Sequence, residues 1–272
     1  MKNIGLVLIA IIASMASMAQ DNDTSLLRKN HVQKIEKMQY IHAFESRSDT
    51  CIVDVKELNE SGKLVYHKSD LRCSGWSSYE ESFFTFHKGK LAKIITKRNG
   101  EKFSRSMYSY KRKVAEPVRI KTFFYQTNDS MSVVTRYYKN RKGRMDSSMS
   151  VLTTQDGSEV RTKNNARYNK DNALVQLYTL DESGAPLEML SNEIDKNGTI
   201  KSVAYTRYGD NASFSQTFYK YNDKGQIDNT VNTVNQKQVY RYDENGLITN
   251  VLSYNPKGAL EIEFIYKYTY HK

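Results

Sequence analysis

From Cys51 to the C-terminus, apolar and polar residues alternate in short runs separated by glycine-containing corners. Residues i and i+2 of a strand share a face. The runs Phe218-Tyr219-Lys220-Tyr221, Tyr240-Arg241-Tyr242 and Tyr266-Lys267-Tyr268-Thr269-Tyr270 therefore read as strands with rings on one side and cations on the other. Before Cys51 the period changes. Leu27, His31, Ile35, Met38 and Ile41 fall near helical spacing, which predicts a short helix in the segment from Thr24 to about Phe44, with a switch to strand at Met38 as the other reading. No long helical stripe follows, and only three prolines interrupt the chain. The expected fold is mainly β, an antiparallel meander of β-hairpin repeats forming an elongated sheet, with a short N-terminal helix. Residues 20–50 form its helical or linker segment and residues 51–272 its β-hairpin-repeat domain.

The corners repeat. Asn59 to Leu64, Asn140 to Met145, Asp195 to Ile200, Asn222 to Ile227, Asp243 to Ile248 and Asn255 to Leu260 all read [ND]-x-x-G-x-[ILM]. Seven of the 13 glycines have Ile, Leu or Met two positions on, where composition alone gives about 2. The pattern is turn chemistry: Asn or Asp opening a type I turn bonds the backbone that follows it, and Gly three residues later takes the positive φ that turns the chain into the next strand. Gly62, Gly143, Gly198, Gly225, Gly246 and Gly258 are thus expected to end hairpin turns in a glycine bulge. Tyrosine rings on neighbouring strands are expected to staple the hairpins as cross-strand pairs.

Tyr240-x-Tyr242-Asp243-x-x-Gly246-x-Ile248, with the similar Tyr219 to Ile227 stretch before it, resembles the YD repeat of the Rhs family, Y-x-Y-D-x-x-G-R-L. The chain departs from that pattern at Gln226 and Leu247, where the family prefers Arg, and at Asn222, which replaces an Asp. The resemblance implies a local stack of hairpins; the copies are too few for an enclosing shell. The stretch from Phe84 to Phe103, with its corners at Lys88-Gly89 and Asn99-Gly100, resembles the hairpins of MORN-type proteins. Such hairpins behind a signal ending in Ala19-Gln20 resemble secreted proteins of Bacteroidetes.

Lys2, the apolar run Ile4 to Ile12 and the small residues ending at Ala19 read as a secretory signal peptide over residues 1–19. Cleavage is expected after Ala19, with no transmembrane segment in the product and a periplasmic, outer-membrane-associated or secreted location. Removing Lys2 lowers the formal charge of +11 by only one, so the exported protein is basic and suited to anionic surroundings, although a basic surface also serves plain solubility. Cys51 and Cys73, the only cysteines, are expected to form a disulfide in an oxidising compartment.

The five histidines, His31, His42, His67, His87 and His271, fit no zinc or hydrolase motif, and no phosphate loop or dinucleotide fingerprint occurs. No catalytic, metal or cofactor residue is expected. Asp181, Glu182, Asp195, Asp223, Asp243 and Glu244 fall in the corners, where carboxylates cap backbone amides. Rings beside cations mark a candidate binding surface at Trp76, Tyr108, Tyr110, Arg136, Tyr137, Tyr138 and Arg141; the plainer reading is core for Trp76 and, for the rest, a solvated strand edge guarded by Lys and Arg. An exported protein does not ordinarily meet nucleic acid. The expectation is a non-enzymatic exported β-repeat protein that binds an anionic glycan, an envelope component or a protein partner. One alternative is a structural or assembly role through sheet-edge pairing; another is a hydrolase with dispersed site residues.

Overall fold

The computed structural model describes residues 24–42, 51–72, 77–111, 116–171 and 173–271. The signal peptide, Cys73 and Trp76 lie outside these residues, and with them the expected cleavage site and the Cys51–Cys73 pairing.

One helix, α1 (Thr24–Lys29), precedes the strands β1 (Val32–Ile41), β2 (Cys51–Leu58), β3 (Leu64–Asp70), β4 (Tyr79–His87), β5 (Lys90–Arg98) and β6 (Glu101–Ser109). They are followed by β7 (Arg119–Phe124), β8 (Asp129–Lys139), β9 (Met145–Thr154), β10 (Glu159–Tyr168), β11 (Leu174–Leu180) and β12 (Pro186–Ile194). The last six are β13 (Ile200–Arg207), β14 (Ser213–Tyr221), β15 (Ile227–Asn232), β16 (Lys237–Tyr242), β17 (Ile248–Tyr254) and β18 (Leu260–Tyr270). The expected mainly β fold, antiparallel meander and short helix are all present.

The expected open, elongated sheet is corrected. All the strands belong to one 18-stranded sheet, and each pairs with its neighbours in sequence. β1 pairs antiparallel with β2 on one side and with β18 on the other. The first and last strands are therefore joined, and the ladder has the closed hydrogen-bonding circuit of a β-barrel instead of two free edges. Closure satisfies backbone groups that edge strands would leave open.

The expected helix is also shorter than its spacing suggested. It ends at Lys29, the Asn30 side chain donates to the Leu26 carbonyl at 2.9 Å, and His31 takes a φ of 52° that turns the chain into β1. The register of β1 against β18 slips between Val32 and Lys34, so Val32 and Ile35 are both buried although they are three residues apart. A bulged strand thus imitates the spacing of a helix.

The chain forms two compact units. The first comprises the described residues within 24–81, 239–253 and 260–271. Its core is Leu27 of α1, Val32 and Ile35 of β1, Leu58 of β2, Leu247, Ile248 and Val251 around β17, and Tyr266 of β18. Tyr240, Tyr242 and Tyr268 pack against this core while Arg241 and Lys267 are exposed, as the alternation requires. Leu247, which stands where the YD repeat prefers Arg, is fully buried at 0% exposure. An apolar residue at position 247 is therefore a packing requirement of this chain.

The second unit, residues 82–238 and 254–259, is a run of hairpins. Its turns, like those of the first unit, have the expected geometry. At Asn222 the Gly225 N–H donates to the Asn222 carbonyl at 2.9 Å, and the N–H groups of Lys224 and Gln226 donate to the Asn222 Oδ1 at 3.0 Å each. The same backbone closure, from the Gly N–H to the Asx carbonyl, occurs at Asn59, Asn140, Asp195, Asp243 and Asn255. Each glycine of the repeat has a positive φ, between 73° at Gly62 and 85° at Gly198. The register slips by one residue next to the turns at Asn59, Asn140, Asp195 and Asn222, so that Leu58 faces Leu64, Lys139 faces Met145, Ile194 faces Ile200 and Tyr221 faces Ile227.

Candidate functional site

In the second unit the two sheet faces carry different chemistry. On one face short hydroxyl and amide side chains bond across strands: Ser106 to Thr122 at 2.9 Å, Thr135 to Ser150 at 3.0 Å, Asn164 to Ser148 at 3.2 Å and Thr179 to Asn164 at 2.9 Å. Ser104, Thr122, Ser148 and Ser150 on this face are buried, together with Leu152 and Ala166. Their mutual bonds satisfy polar groups that burial would otherwise penalise.

The other face of β6 to β10 is exposed, and the register sets cations beside apolar groups. Met107 lies opposite Lys121, Arg119 opposite Val134, and Met149 between Arg136 and Lys163. Along the strands, Arg105 and Met107 alternate on β6, as do Val134, Arg136 and Tyr138 on β8. Arg105, Arg119, Lys121, Arg136 and Lys163 are exposed, and among the described residues none of them forms an ion pair. The apolar members are exposed as well: Met107 to 47%, Val134 to 37%, Tyr138 to 48% and Met149 to 41%. Arg161, on the same face, is held by Glu159 at 2.9 Å and Glu182 at 3.4 Å.

This geometry sorts the candidate residues. Arg136 and Tyr138 stand on the exposed basic face. Tyr137, their neighbour on β8, points to the opposite face and donates its hydroxyl to the Pro117 carbonyl at 3.1 Å. Tyr108 shares that half-buried face; burial, with the neighbouring Tyr110, pushes its phenol up to about 12. Tyr110 has the Lys90 ammonium over its ring at 4.8 Å. Arg141 is exposed in the turn that follows β8. Arg105, Arg119, Lys121 and Lys163 belong to no sequence motif, and only strand register brings them together.

The corner carboxylates act as caps. Asp195 accepts from the N–H groups of Asn197 at 2.8 Å and Thr199 at 3.0 Å, bonds that hold its carboxyl below the ordinary value. Asp181 accepts from the Ser183 hydroxyl at 2.7 Å and the Ala185 N–H at 2.9 Å, and is lowered for the same reason. Asp243 accepts from the Leu247 N–H at 2.8 Å.

A second polar cluster joins β2 to β3 in the first unit. His67 Nε2 lies 2.6 Å from Asp54 Oδ2, and Lys56 Nζ lies 3.7 Å from Asp54 Oδ1. Burial works to raise the Asp54 carboxyl, but the His67 hydrogen bond and the Lys56 charge outweigh it and hold the group below its ordinary value. An Asp–His pair is part of an acid–base constellation, but here no hydroxyl or thiol bonds His67 among the described residues, and the ammonium of Lys56 balances the carboxylate. An open cleft in the same unit is lined by Asn59, Glu60, Ser61 and His271. Among the described residues no group of three or more His, Cys, Asp and Glu is placed to hold a metal, and no helix is long and apolar enough to cross a membrane.

The sequence matches no protein-family profile and no curated protein. Among solved structures it is similar to a porin-like protein from Bacteroides uniformis at 10% identity, covering 88% of this chain and 98% of that one with a TM-score of 0.43. A porin-like protein from Bacteroides vulgatus is similar at 12% identity, with the same coverages of 88% and 98% and a TM-score of 0.29. The TcdB2-TccC3-Cdc42 structure is similar at 10% identity over 78% of this chain and 16% of that chain, with a TM-score of 0.34.

Proposed function

We propose that this chain is a non-enzymatic protein of the bacterial cell envelope that binds an anionic envelope component through the exposed face of β6 to β10. The observation that supports this reading is the set of five exposed cations, Arg105, Arg119, Lys121, Arg136 and Lys163, on one sheet face without an acidic partner among the described residues. Like charges gathered without counterions repel one another, and a polyanion relieves that repulsion while releasing its own condensed counterions. The export signal read at residues 1–19 would deliver the protein to a compartment rich in such anions.

The test is binding of the full exported chain to dextran sulfate, a soluble polyanion, across a salt series. Affinity is expected to fall steeply with salt, and the combined variant Arg119→Gln, Lys121→Gln, Arg136→Gln and Lys163→Gln is expected to lose most of it. A salt-independent affinity, or an unchanged one in the variant, would remove the reading. The assembly role through sheet-edge pairing loses its basis, because β1 and β18, the strands an open meander would leave as edges, pair with each other.

A further inference from the structure

The exposed face of β6 to β10 is basic, yet it is also apolar in a patterned way. Met149 sits between Arg136 and Lys163 on neighbouring strands, and Val134 and Met107 sit opposite Arg119 and Lys121. The rung through Tyr138 continues along this face through Ser147, Asn165, Tyr178, Met189 and Thr206 to Phe214, whose ring is 60% exposed. A hydrophilic polyanion would occupy the cations and leave these apolar groups in water. An anionic lipid surface satisfies both, because its headgroups meet the cations and the boundary of its acyl region takes up side chains such as Met and Tyr. Resting on that surface is favoured over spanning it. A cation facing lipid at mid-bilayer costs roughly 2–4 kcal/mol, and this face carries several. A spanning strand needs about 9–11 residues, whereas β7 has 6 and β11 has 7.

Building on the proposed basic-face reading, we infer that the partner of this face is an anionic phospholipid membrane surface, which β6 to β10 meet with Met107, Val134, Tyr138 and Met149 entering the interface between headgroup contacts.

Co-sedimentation of the full exported chain with phosphatidylcholine vesicles, with and without phosphatidylglycerol, tests this beside dextran sulfate. Binding is expected only when phosphatidylglycerol is present. The combined variant Val134→Ser, Tyr138→Ser and Met149→Ser, which alters exposed side chains alone, is expected to weaken vesicle binding about tenfold or more while leaving dextran sulfate binding within about twofold. Conversely, Arg136→Lys with Lys163→Arg keeps both. Binding to dextran sulfate without binding to the anionic vesicles overturns the lipid assignment and leaves the basic-face reading standing; loss of both overturns the two together. Self-association that the serine variant abolishes, with no vesicle binding, assigns the face to a second copy of the chain and likewise overturns the lipid partner.

Discussion

The Tyr221 hydroxyl donates to the carbonyl of Ile200 on the neighbouring strand at 2.8 Å. Ile200 is the last position of its Asx-Gly repeat and lies two residues beyond Ser202, the last member of β13 in register with β14, so its carbonyl has no ladder partner on that side. The arrangement recurs: Tyr168 donates to Met145 at 2.8 Å and Tyr268 to Ile248 at 2.7 Å, each to the final residue of a repeat corner. These tyrosines therefore join one hairpin to the next through their hydroxyls.

Tyr221→Phe deletes that donor and leaves a half-buried carbonyl without a partner. A loss of about 1–3 kcal/mol in equilibrium urea unfolding is expected. Tyr138→Phe, whose hydroxyl makes no bond within the described residues, is expected to stay within about 0.5 kcal/mol of the parent. Equal effects in the two variants would discard the hydroxyl bridge as a stabilising contact.

Leu247 joins α1, β1 and β17 in the core of the first unit. Leu247→Ala is expected to cost about 2–5 kcal/mol. Leu247→Arg, the residue favoured by the YD repeat, is expected to cost more, because its charge has no partner in that core. Thermal unfolding of the two variants ranks them; an arginine variant as stable as the parent would show that Leu247 is not buried as described.

Gly225 has a φ of 75° with open space where a Cβ would stand, whereas a Cβ on Gly62, at a φ of 73°, would come within 3.2 Å of the Arg28 Cβ. Asn tolerates the left-handed region better than β-branched residues do. Gly225→Asn is therefore expected to be mild, about 1 kcal/mol or less, and Gly225→Val clearly worse. Gly62→Asn is expected to exceed Gly225→Asn, since it adds a collision with α1 to the backbone strain. Chemical denaturation of the three variants gives the order.

Acid should loosen the corners. Asp195 and Asp181 have folded pKa values below the ordinary 3.8, held there by backbone and hydroxyl donors, and Asp54 is lowered by His67 and Lys56 against the effect of burial. A depressed carboxylate contributes its stability above the unfolded pKa and loses it as pH falls through the folded one. Stability at these groups is thus expected to hold near neutrality and to decline from about pH 4 downward. Asp195→Asn keeps an acceptor for the same two N–H groups without the titration, so its acid limb is expected to be shallower than the parent's. An identical limb, followed by circular dichroism against pH, would exclude Asp195 from the transition.

The local parts of this fold were legible in the sequence. Each Asx-to-Gly corner is set by four consecutive residues, an acceptor side chain and a glycine that takes positive φ, so Asn222 to Gly225 or Asp243 to Gly246 can be read without knowing what lies across the sheet. The alternation that puts Tyr240 and Tyr242 on the core side and Arg241 in water is equally local. Of the candidate surface, Arg136 and Tyr138 were visible as a cation and a ring on one strand, but the separation of Tyr137 from them required knowing which face is buried.

What only the tertiary structure decided is non-local. The pairing of β1 with β18 joins segments at opposite ends of the sequence, and no short pattern encodes it. The bulge beside Val32 gave a strand the spacing of a helix, and only its two partner strands show which conformation wins. Leu247 was legible as a departure from a repeat, but its reason lies in the core it fills. The basic face exists because register brings Arg119, Lys121, Arg136 and Lys163, from three different strands, onto one surface. Turn chemistry acts over neighbouring residues, whereas closure, burial and the gathering of charge depend on which strands meet.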